Sequence, residues 1–195
     1  MGLIFMIKYN KYYTLIFLII IILNLLLISK SFSGERENKL SYLFEKLKMN
    51  NIASSYETEQ EIWKIWSTHP TSKDLTKILE EGSNLVNKNE LLKAINIFSE
   101  IIKLDPNWAE AWNKRATVFY MIGEYQKSQD DIDKVLELEE RHFGALAGQG
   151  LVNIQLENYE KAVTSYKKAL EIYPSMQSPK IMIKEIEELI KKQSI

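Results

Sequence analysis

Residues 143–176 read FGALAGQGLVNIQLENYEKAVTSYKKALEIYPSM, and the structural pattern of the chain is clearest here. Apolar residues recur in it at helical spacing on either side of Glu157-Asn158, a pair that is typical of a turn. Gly150 is a small residue at which the second helix can approach the first closely. Pro174 cannot continue a helix and therefore ends the second one. The stretch predicts two antiparallel helices joined by a short turn.

The same pattern occurs twice more upstream, with a period of 34 residues. Pro106 and Pro174 stand two periods apart, and the units run over 75–108, 109–142 and 143–176. The eighth position of every unit is small, and the twenty-fourth is large. In chain order these pairs are Gly82 with Phe98, Ala116 with Ile132, and Gly150 with Tyr166. The repetition predicts an all-α protein built around three helical hairpins.

These units resemble tetratricopeptide repeats (TPRs), whose pattern combines small residues at fixed positions with an aromatic residue and a late proline. The third unit fits most closely, with Gly150, Tyr159, Ala162, Tyr166, Ala169 and Pro174. The chain departs from the pattern at Asn153, where an aromatic residue is usual, and at Glu140, where a proline is usual. The resemblance implies a TPR-like helical-hairpin solenoid of three repeats with helical caps. It extends to small exported bacterial TPR proteins of uncharacterised function.

The segments that flank the repeats are expected to be helical caps, because a solenoid must cover its terminal apolar faces. Residues 34–74 are predicted to form an N-terminal helical cap or a degenerate repeat, with Trp63 and Trp66 packed onto the first unit. Residues 177–195 are predicted to form a C-terminal capping helix with Ser178 as its N-cap. The apolar face of that helix would carry Met182, Ile186, Leu189 and Ile190.

Residues 1–33 have the composition of a targeting segment. Two lysines precede a charge-free apolar run of 17 residues from Tyr12 to Ile28, and Ser31-Phe32-Ser33 follows it. A basic start, an apolar run and a small-x-small triplet are typical of a secretory signal peptide, here cleaved after Ser33. The run is also just long enough to be an uncleaved membrane anchor. Either interpretation predicts export, to the bacterial periplasm or to the periplasmic face of the inner membrane.

Composition argues against several classes of function. With 25 Lys+Arg against 26 Asp+Glu, the chain lacks the basic excess of a nucleic-acid-binding protein. It contains no Cys, which excludes disulfides, and its two His are too few for a histidine metal cluster. It shows no nucleophile with an adjacent base and no cofactor motif. We therefore predict no catalytic residues, no metal site and no cofactor in a protein that is not an enzyme.

Two clusters that suggest ligand sites have a structural interpretation. Three glycines of the third unit lack the Lys-Ser/Thr of a phosphate loop, so close helix packing is expected at Gly144, Gly148 and Gly150. An acidic run in the second unit lacks the spacing of a calcium loop. A solvated helix face is therefore expected at Asp130, Asp131 and Asp133.

Other polar and aromatic residues stand near the unit boundaries or repeat between units. His69 and His142 have no carboxylate or histidine neighbour at ligand spacing, and both are expected to be structural or surface residues. Glu81 and Arg115 occupy the same position in adjacent units, so stacking could pair them. Trp108 is expected either to be exposed or to fill the corner between two repeats.

The resemblance implies that the first helices of the units line a concave groove for a partner. We expect the groove residues to be Asn113, Lys114, Thr117, Tyr120, Ala147, Gly148, Leu151 and Ile154. Chaperone-tail-binding TPR proteins clamp a terminal carboxylate with several Lys, Arg and Asn side chains, of which only Asn113 and Lys114 are present here. The small apolar third unit instead suits an apolar side chain or a helix. In the alternative, the C-terminal helix covers Gly144, Ala147 and Gly148.

These expectations predict an exported TPR adaptor or scaffold that binds another protein or a peptide in its concave groove, in the cell envelope. No nucleic-acid partner is expected, and the membrane would be contacted only through an uncleaved N-terminal segment. A structural, self-associating envelope protein is the first alternative, and an enzyme or enzyme subunit is a remote one.

Overall fold

The computed structural model describes residues 16–21, 34–49 and 52–193, and the regular elements within these ranges are all helices. The chain divides into two compact units, residues 1–41 and 42–195. In the first unit, residues 16–21 and 34–41 are helical. Among the described residues, no helix combines the length and the apolar composition needed to cross a membrane. The signal or anchor segment lies mostly outside the described residues and stays a prediction.

From residue 34 onward the helices are labelled in chain order. They are α1 (34–48), α2 (Ile52–Ser67), α3 (Lys73–Asn87), α4 (Leu91–Leu104), α5 (Ala109–Met121), α6 (Tyr125–Leu138), α7 (Phe143–Gln155), α8 (Tyr159–Ile172) and α9 (Gln177–Gln193). Three successive hairpins, α3–α4, α5–α6 and α7–α8, form the repeat stack. The all-α, TPR-like fold class predicted from the sequence is confirmed.

Each hairpin turns at a residue with a positive φ angle. These residues are Asn89 (57°), Gly123 (79°) and Glu157 (60°), and they occupy the same position in the three units. Gly adopts this left-handed region without strain and Asn tolerates it, whereas Glu rarely does. The three hairpins therefore share one turn geometry in spite of their different turn sequences.

The two helices of a hairpin pack closely where a small residue meets a large one. A Cβ atom added to Gly150 would lie 2.5 Å from Cζ of Tyr166, and one added to Gly82 would lie 2.5 Å from Cε1 of Phe98. In the second hairpin the smaller Ile132 accompanies Ala116 in the same core cluster. The glycine therefore makes room for an aromatic ring, as the repeat pattern predicts.

The C-terminal helix α9 begins at Gln177, so Ser178 lies inside its first turn and is not the N-cap that the sequence suggested. Ile186 is buried in a cluster with Ala162 and Tyr166 of α8. Met182, Ile183 and Ile190 pack against that cluster. Leu189 is 38% exposed, which corrects its expected place on the apolar face.

Of the predicted packing of Trp63 and Trp66 onto the first unit, the structure shows a 2.8 Å hydrogen bond from Trp108 to the Trp66 carbonyl oxygen, whereas both rings pack at another junction. The ring of Trp66 stacks on that of His142, with centroids 4.0 Å apart and planes at 9°, and Trp63 meets Phe143 edge-on at 5.5 Å. Both partners lie at the junction of the second and third units. Aromatic rings pack best on other rings, and this junction offers two of them on one surface.

In the second and third units, the side chain at position 7 forms hydrogen bonds within its own hairpin and to the preceding hairpin. Arg115 forms two hydrogen bonds to Asp131, of 2.8 and 2.7 Å, and one to Ser99 of 3.0 Å. Its expected pairing with Glu81 is therefore wrong. Asp131 is 4% exposed, so it does not lie on the solvated face predicted for the acidic run. Burial raises the pKa of Asp131 and outweighs the opposing effect of the Arg115 guanidinium.

The third unit repeats this arrangement with neutral side chains. Gln149 takes the place of Arg115, and its Oε1 accepts a hydrogen bond of 2.8 Å from Ser165. Its Nε2 donates to Asp133 of the preceding unit at 3.2 Å. The same slot is thus filled by an ion pair in one hairpin and by an amide and a hydroxyl in the next.

Candidate functional site

The candidate site is a small cleft of about 80 Å³ between α5 and α7, with α6 behind it. Five of the eight expected groove residues line it, namely Asn113, Thr117, Tyr120, Gly148 and Leu151. The rest of its wall is formed by Ala116, Ser128, Ile132, Gly144, Ala145 and Val152. The structure therefore brings together residues from the second and third units, which are adjacent in the stack.

The other three expected groove residues lie elsewhere. Ala147 and Ile154 pack against the core cluster that α8 forms with Ile186 of α9. The alternative prediction was that the C-terminal helix covers Gly144, Ala147 and Gly148. Only Ala147 lies against this cluster, whereas Gly144 and Gly148 line the cleft. Lys114 is absent from the cleft lining. The binding role of the eight residues stays a prediction.

The cleft combines an apolar wall with a polar edge. Leu151 is 37% exposed, and the half-buried ring of Tyr120 lies 5.6 Å from that of Tyr125. On the edge, the Thr117 hydroxyl donates to the backbone oxygen of Asn113 at 2.9 Å. Pockets of this composition hold an apolar group and orient it through a few polar contacts.

A buried carboxylate lies one turn before the cleft residue Asn113. Glu110 is 1% exposed and accepts hydrogen bonds from Asn113 at 3.1 Å and from Nε2 of His142 at 3.2 Å. Lys114 Nζ lies 3.2 Å from its other oxygen. Burial raises the pKa of Glu110, but the His142 hydrogen bond and the Lys114 charge outweigh it, so the pKa is lowered. A partner's carboxylate would therefore have to compete with Glu110 for the Lys114 charge.

The two histidines are both buried and both pair with a carboxylate. His69 Nε2 lies 2.8 Å from Asp105, and His142 Nδ1 accepts the backbone N–H of Ala145 at the start of α7. That cap makes Nε2 of His142 the protonated nitrogen that faces Glu110. These carboxylate partners could not be found by spacing along the chain, because they stand 36 and 32 positions from their histidines. Within the described ranges, no group of three or more His, Asp or Glu side chains could hold a metal ion.

Helix α2 crosses the ends of the repeat hairpins, and we call it the strap. It is tied down by hydrogen bonds that include those between Ser55 and Ser175 (2.9 Å), Glu59 and Tyr173 (3.1 Å), and Trp66 and Trp108 (2.8 Å). Trp108, the donor of the last of these bonds, is buried in the corner between two repeats. Of its two expected positions, exposed or filling this corner, the structure shows the second. Burial and the nearby Glu59 carboxylate raise the pKa of Tyr173.

The sequence predicted a helical cap on the first unit in this region, but not that the strap reaches the second and third units. Its signal was the spacing of Glu59, Trp63 and Trp66, which places all three on one helix face. Such spacing shows that the face is packed, but it does not identify the residues on which it packs. Lys114 also extends to this face, with Nζ 5.9 Å from the Trp63 ring centroid.

A larger recess of about 430 Å³ lies on α6, α7 and α8. It is lined mainly by polar side chains, among them Gln126, Gln129, Asp133, Gln149, Asn153 and Asn158. Asn153 stands here where the family pattern has an aromatic ring. The side-chain amides donate to one another and to a carboxylate, as in the contacts from Asn153 to Gln129 (3.4 Å) and from Gln129 to Asp133 (2.7 Å), so these polar groups largely pair within the recess.

Comparisons with known proteins agree on the repeat. Residues 143–176 match the sequence model of the tetratricopeptide repeat. A TPR repeat-containing protein of Rhizobium etli is 30% identical over 155 residues, which are 78% of this chain and 74% of that protein. The match therefore extends well beyond a single repeat.

Solved structures give the same fold. The Arabidopsis OM64 TPR domain superimposes with a TM-score of 0.58 at 22% identity, over 60% of this chain and 96% of that one. The first TPR of Spaghetti (RPAP3), bound to the HSP90 peptide SRMEEVD, gives 0.60 at 18% identity, over 62% and 95%. The repeat pattern, the three hairpins and the relative from Rhizobium etli together show that the chain belongs to the tetratricopeptide repeat family.

Proposed function

We propose that this chain is an exported adaptor that binds a segment of another protein in the cleft between α5 and α7. The TPR fold is generally a non-catalytic protein-interaction scaffold. The observation that carries the proposal is the cleft itself, where Tyr120, Gly148 and Leu151 form an accessible apolar wall beside the polar edge of Asn113 and Thr117. The related domains of Spaghetti and yeast Sti1 were solved with HSP90 and Hsp70 peptides, respectively.

The chemistry of the cleft favours an apolar anchor over an acidic tail. The peptide bound to Spaghetti ends in EEVD, which carries several negative charges. Here Lys114, the only cation among the eight expected groove residues, lies 3.2 Å from the buried Glu110 carboxylate. An incoming carboxylate would compete with an ion pair that is formed within one helix. We therefore propose a partner segment that inserts an apolar side chain beside Leu151.

Photo-crosslinking tests the proposed function. A photoreactive residue at position 151, introduced in the cells that make the protein, should capture one discrete partner protein. The same residue at the exposed position Lys167 of α8 should not capture it. Equal, diffuse capture from both positions, or capture of this chain alone, would contradict groove binding.

The variant Leu151→Lys should weaken partner capture by at least about tenfold, because a charge would replace the apolar wall in a partly desolvated site. The side chain is 37% exposed, so the free energy of unfolding should change by no more than about 0.5 kcal/mol. Leu189→Lys is the matched control, since Leu189 is 38% exposed on α9, away from the cleft. Equal loss of capture in both variants would mean that the cleft has no special role.

Export is the second part of the proposal, and it is supported by the composition of residues 1–33. Cell fractionation followed by N-terminal sequencing should find the repeats outside the cytoplasm. A chain that begins at Gly34 would identify a cleaved signal peptide, and an intact N-terminus in the membrane fraction would identify an anchor. Recovery of the intact chain from the cytoplasm would contradict export.

A further inference from the structure

We propose that the surface under the strap is a helix-docking site and that α2 is its resident, exchangeable occupant. The partner that fits this surface is an amphipathic helix with the spacing Glu-x-x-x-Trp-x-x-Trp, which α2 presents at Glu59, Trp63 and Trp66. This inference rests on the proposed function and deepens it, since it names the kind of segment that the partner presents.

The contacts of the strap have the spacing of a helix laid in a groove. Ser55, Glu59, Trp63 and Trp66 follow one another at intervals of four, four and three residues, so they form one stripe. The surface that receives them is formed by Trp108, His142, Phe143, Gly144, Tyr173 and Ser175. It therefore offers aromatic rings for the tryptophans and hydroxyl groups for the polar half of the helix.

Gly144 shapes this surface for a tryptophan. A Cβ atom at this position would lie 2.6 Å from Cη2 of Trp63, so only glycine leaves room for the indole ring. The ring also meets His142 edge-on, with centroids 5.4 Å apart. The surface is thus complementary to one large aromatic side chain at one place along the helix.

The strap is held in a way that permits exchange. The hydrogen bonds to Trp108, Tyr173 and Ser175 join residues 42, 114 and 120 positions apart, so a helix of the same chemistry could form them from a separate chain. Nε1 of Trp66 is buried without a hydrogen-bond partner among the described residues. An unsatisfied buried donor costs free energy, so a partner helix that also supplies an acceptor to this indole N–H would bind more tightly than the resident helix.

The docking site is continuous with the cleft. Gly144 lies under Trp63 and also lines the cleft together with Leu151. Asn113 lines the cleft and donates to Glu110, whose other oxygen faces Lys114 beside Trp63. A partner helix that displaces the strap would therefore reach the cleft along an unbroken surface.

A disulfide lock tests the exchange in the full chain. The hydroxyls of Ser55 and Ser175 lie 2.9 Å apart, and the chain has no Cys of its own. In the variant Ser55→Cys/Ser175→Cys, oxidation should therefore form a single disulfide that holds α2 in place. The probe is a fluorescent peptide with the sequence of residues 52–67, and its binding is read by anisotropy in a mild detergent.

The expected result is an order of affinities. The oxidised lock should bind no peptide, and its reduced form should bind as the wild type does. The variant Trp63→Ala/Trp66→Ala, whose own strap has lost its anchors, should bind at least about tenfold more tightly than the wild type. A control peptide in which both tryptophans are alanine should not bind to any variant.

Equal binding to the oxidised and reduced lock, or no binding to any variant, would overturn the proposal. If the tryptophan variant is unfolded by circular dichroism, Ser55→Ala/Glu59→Ala loosens the strap and leaves its aromatic anchors in place. A concentration-dependent dimer that the lock abolishes would assign the site to a second copy of the chain and overturn the partner-helix proposal. The assay needs no natural partner, so its failure would leave the crosslinking test at position 151 standing.

Discussion

Replacing Arg115 with alanine should destabilise the protein by about 3–5 kcal/mol, because the substitution leaves a buried carboxylate without its partner. Asp131 is 4% exposed and takes both of its short hydrogen bonds from the Arg115 guanidinium. Urea unfolding, followed by far-UV circular dichroism at neutral pH, measures the loss.

The loss should depend on pH in a defined direction. Burial already raises the pKa of Asp131 above its ordinary value, and removal of the guanidinium removes the main opposing influence. A carboxyl whose pKa is raised in the folded state favours folding most when it is protonated. Its contribution is complete below the unfolded pKa of about 3.9 and is lost as the pH rises through the folded pKa. The deficit of Arg115→Ala should therefore shrink as the pH falls from 7 toward 4.

The third unit supplies the control for this prediction. The double variant Arg115→Gln/Asp131→Ser copies the arrangement of Gln149 and Ser165, which bond at 2.8 Å without a charge. It should recover most of the stability that Arg115→Ala loses, and its stability should vary little over the same pH range. A double variant as unstable as Arg115→Ala would show that the loss of the ion pair is not the cause of the lost stability.

The second large effect is expected from Gly150→Ala. The new methyl group would lie 2.5 Å from the ring of Tyr166, which is 1% exposed and has no room to move. Overpacking of this kind costs about 1–3 kcal/mol. At Gly148, in the same helix, the nearest atom would be 3.7 Å away, which is ordinary contact. Gly148→Ala should therefore gain up to about 1 kcal/mol from the higher helix propensity of alanine.

The difference between the two alanine variants is measured by thermal unfolding under identical conditions. The second hairpin indicates how the clash can be relieved, since Ala116 there accompanies Ile132. Gly150→Ala/Tyr166→Ile should therefore be more stable than Gly150→Ala alone. Equal stability of Gly150→Ala and Gly148→Ala would show that α7 and α8 can move apart, contrary to the close packing described above.

The repeat fold could be predicted because its signal is local and occurs three times. The alternation of small and large residues at Gly150 and Tyr166 fixes which faces of a hairpin meet. The turns at Asn89, Gly123 and Glu157 fall where the periodicity breaks. Each feature depends on residues less than one period apart, which a single sequence displays directly.

The polar contacts could not be predicted in the same way. Asp131 stands in an acidic run that is typical of a solvated surface, and only the position of Arg115 on the facing helix shows why it is buried. Lys114 has the spacing of a groove residue, but its ammonium group lies 3.2 Å from the carboxylate of Glu110, one turn earlier, which competes with a partner for its charge. For both residues, the partner and not the residue type decides the role.

The long-range contacts of α2 were hidden for a different reason. The sequence predicts a helical segment with packed tryptophans here, but its packing face meets residues as far away as Ser175. Helical spacing identifies a buried face without naming its partner. The cleft was predicted in part, since five of its lining residues follow from the repeat register. The partial burial of Ala147 and Ile154 could not be predicted in this way, because it depends on where α9 packs.

The distance between Ser55 and Ser175 along the chain also sets an order of events during synthesis. When α2 leaves the ribosome, Ser175, 120 positions after Ser55, has not yet been made, and neither His142 nor Phe143 exists. The hairpins depend on local contacts and can form as they emerge, whereas contacts of high sequence separation form late. Until the third hairpin is complete, Trp63 and Trp66 have no ring to pack on at the unit junction. The strap is thus made before every repeat that it covers and reaches its final position after all of them.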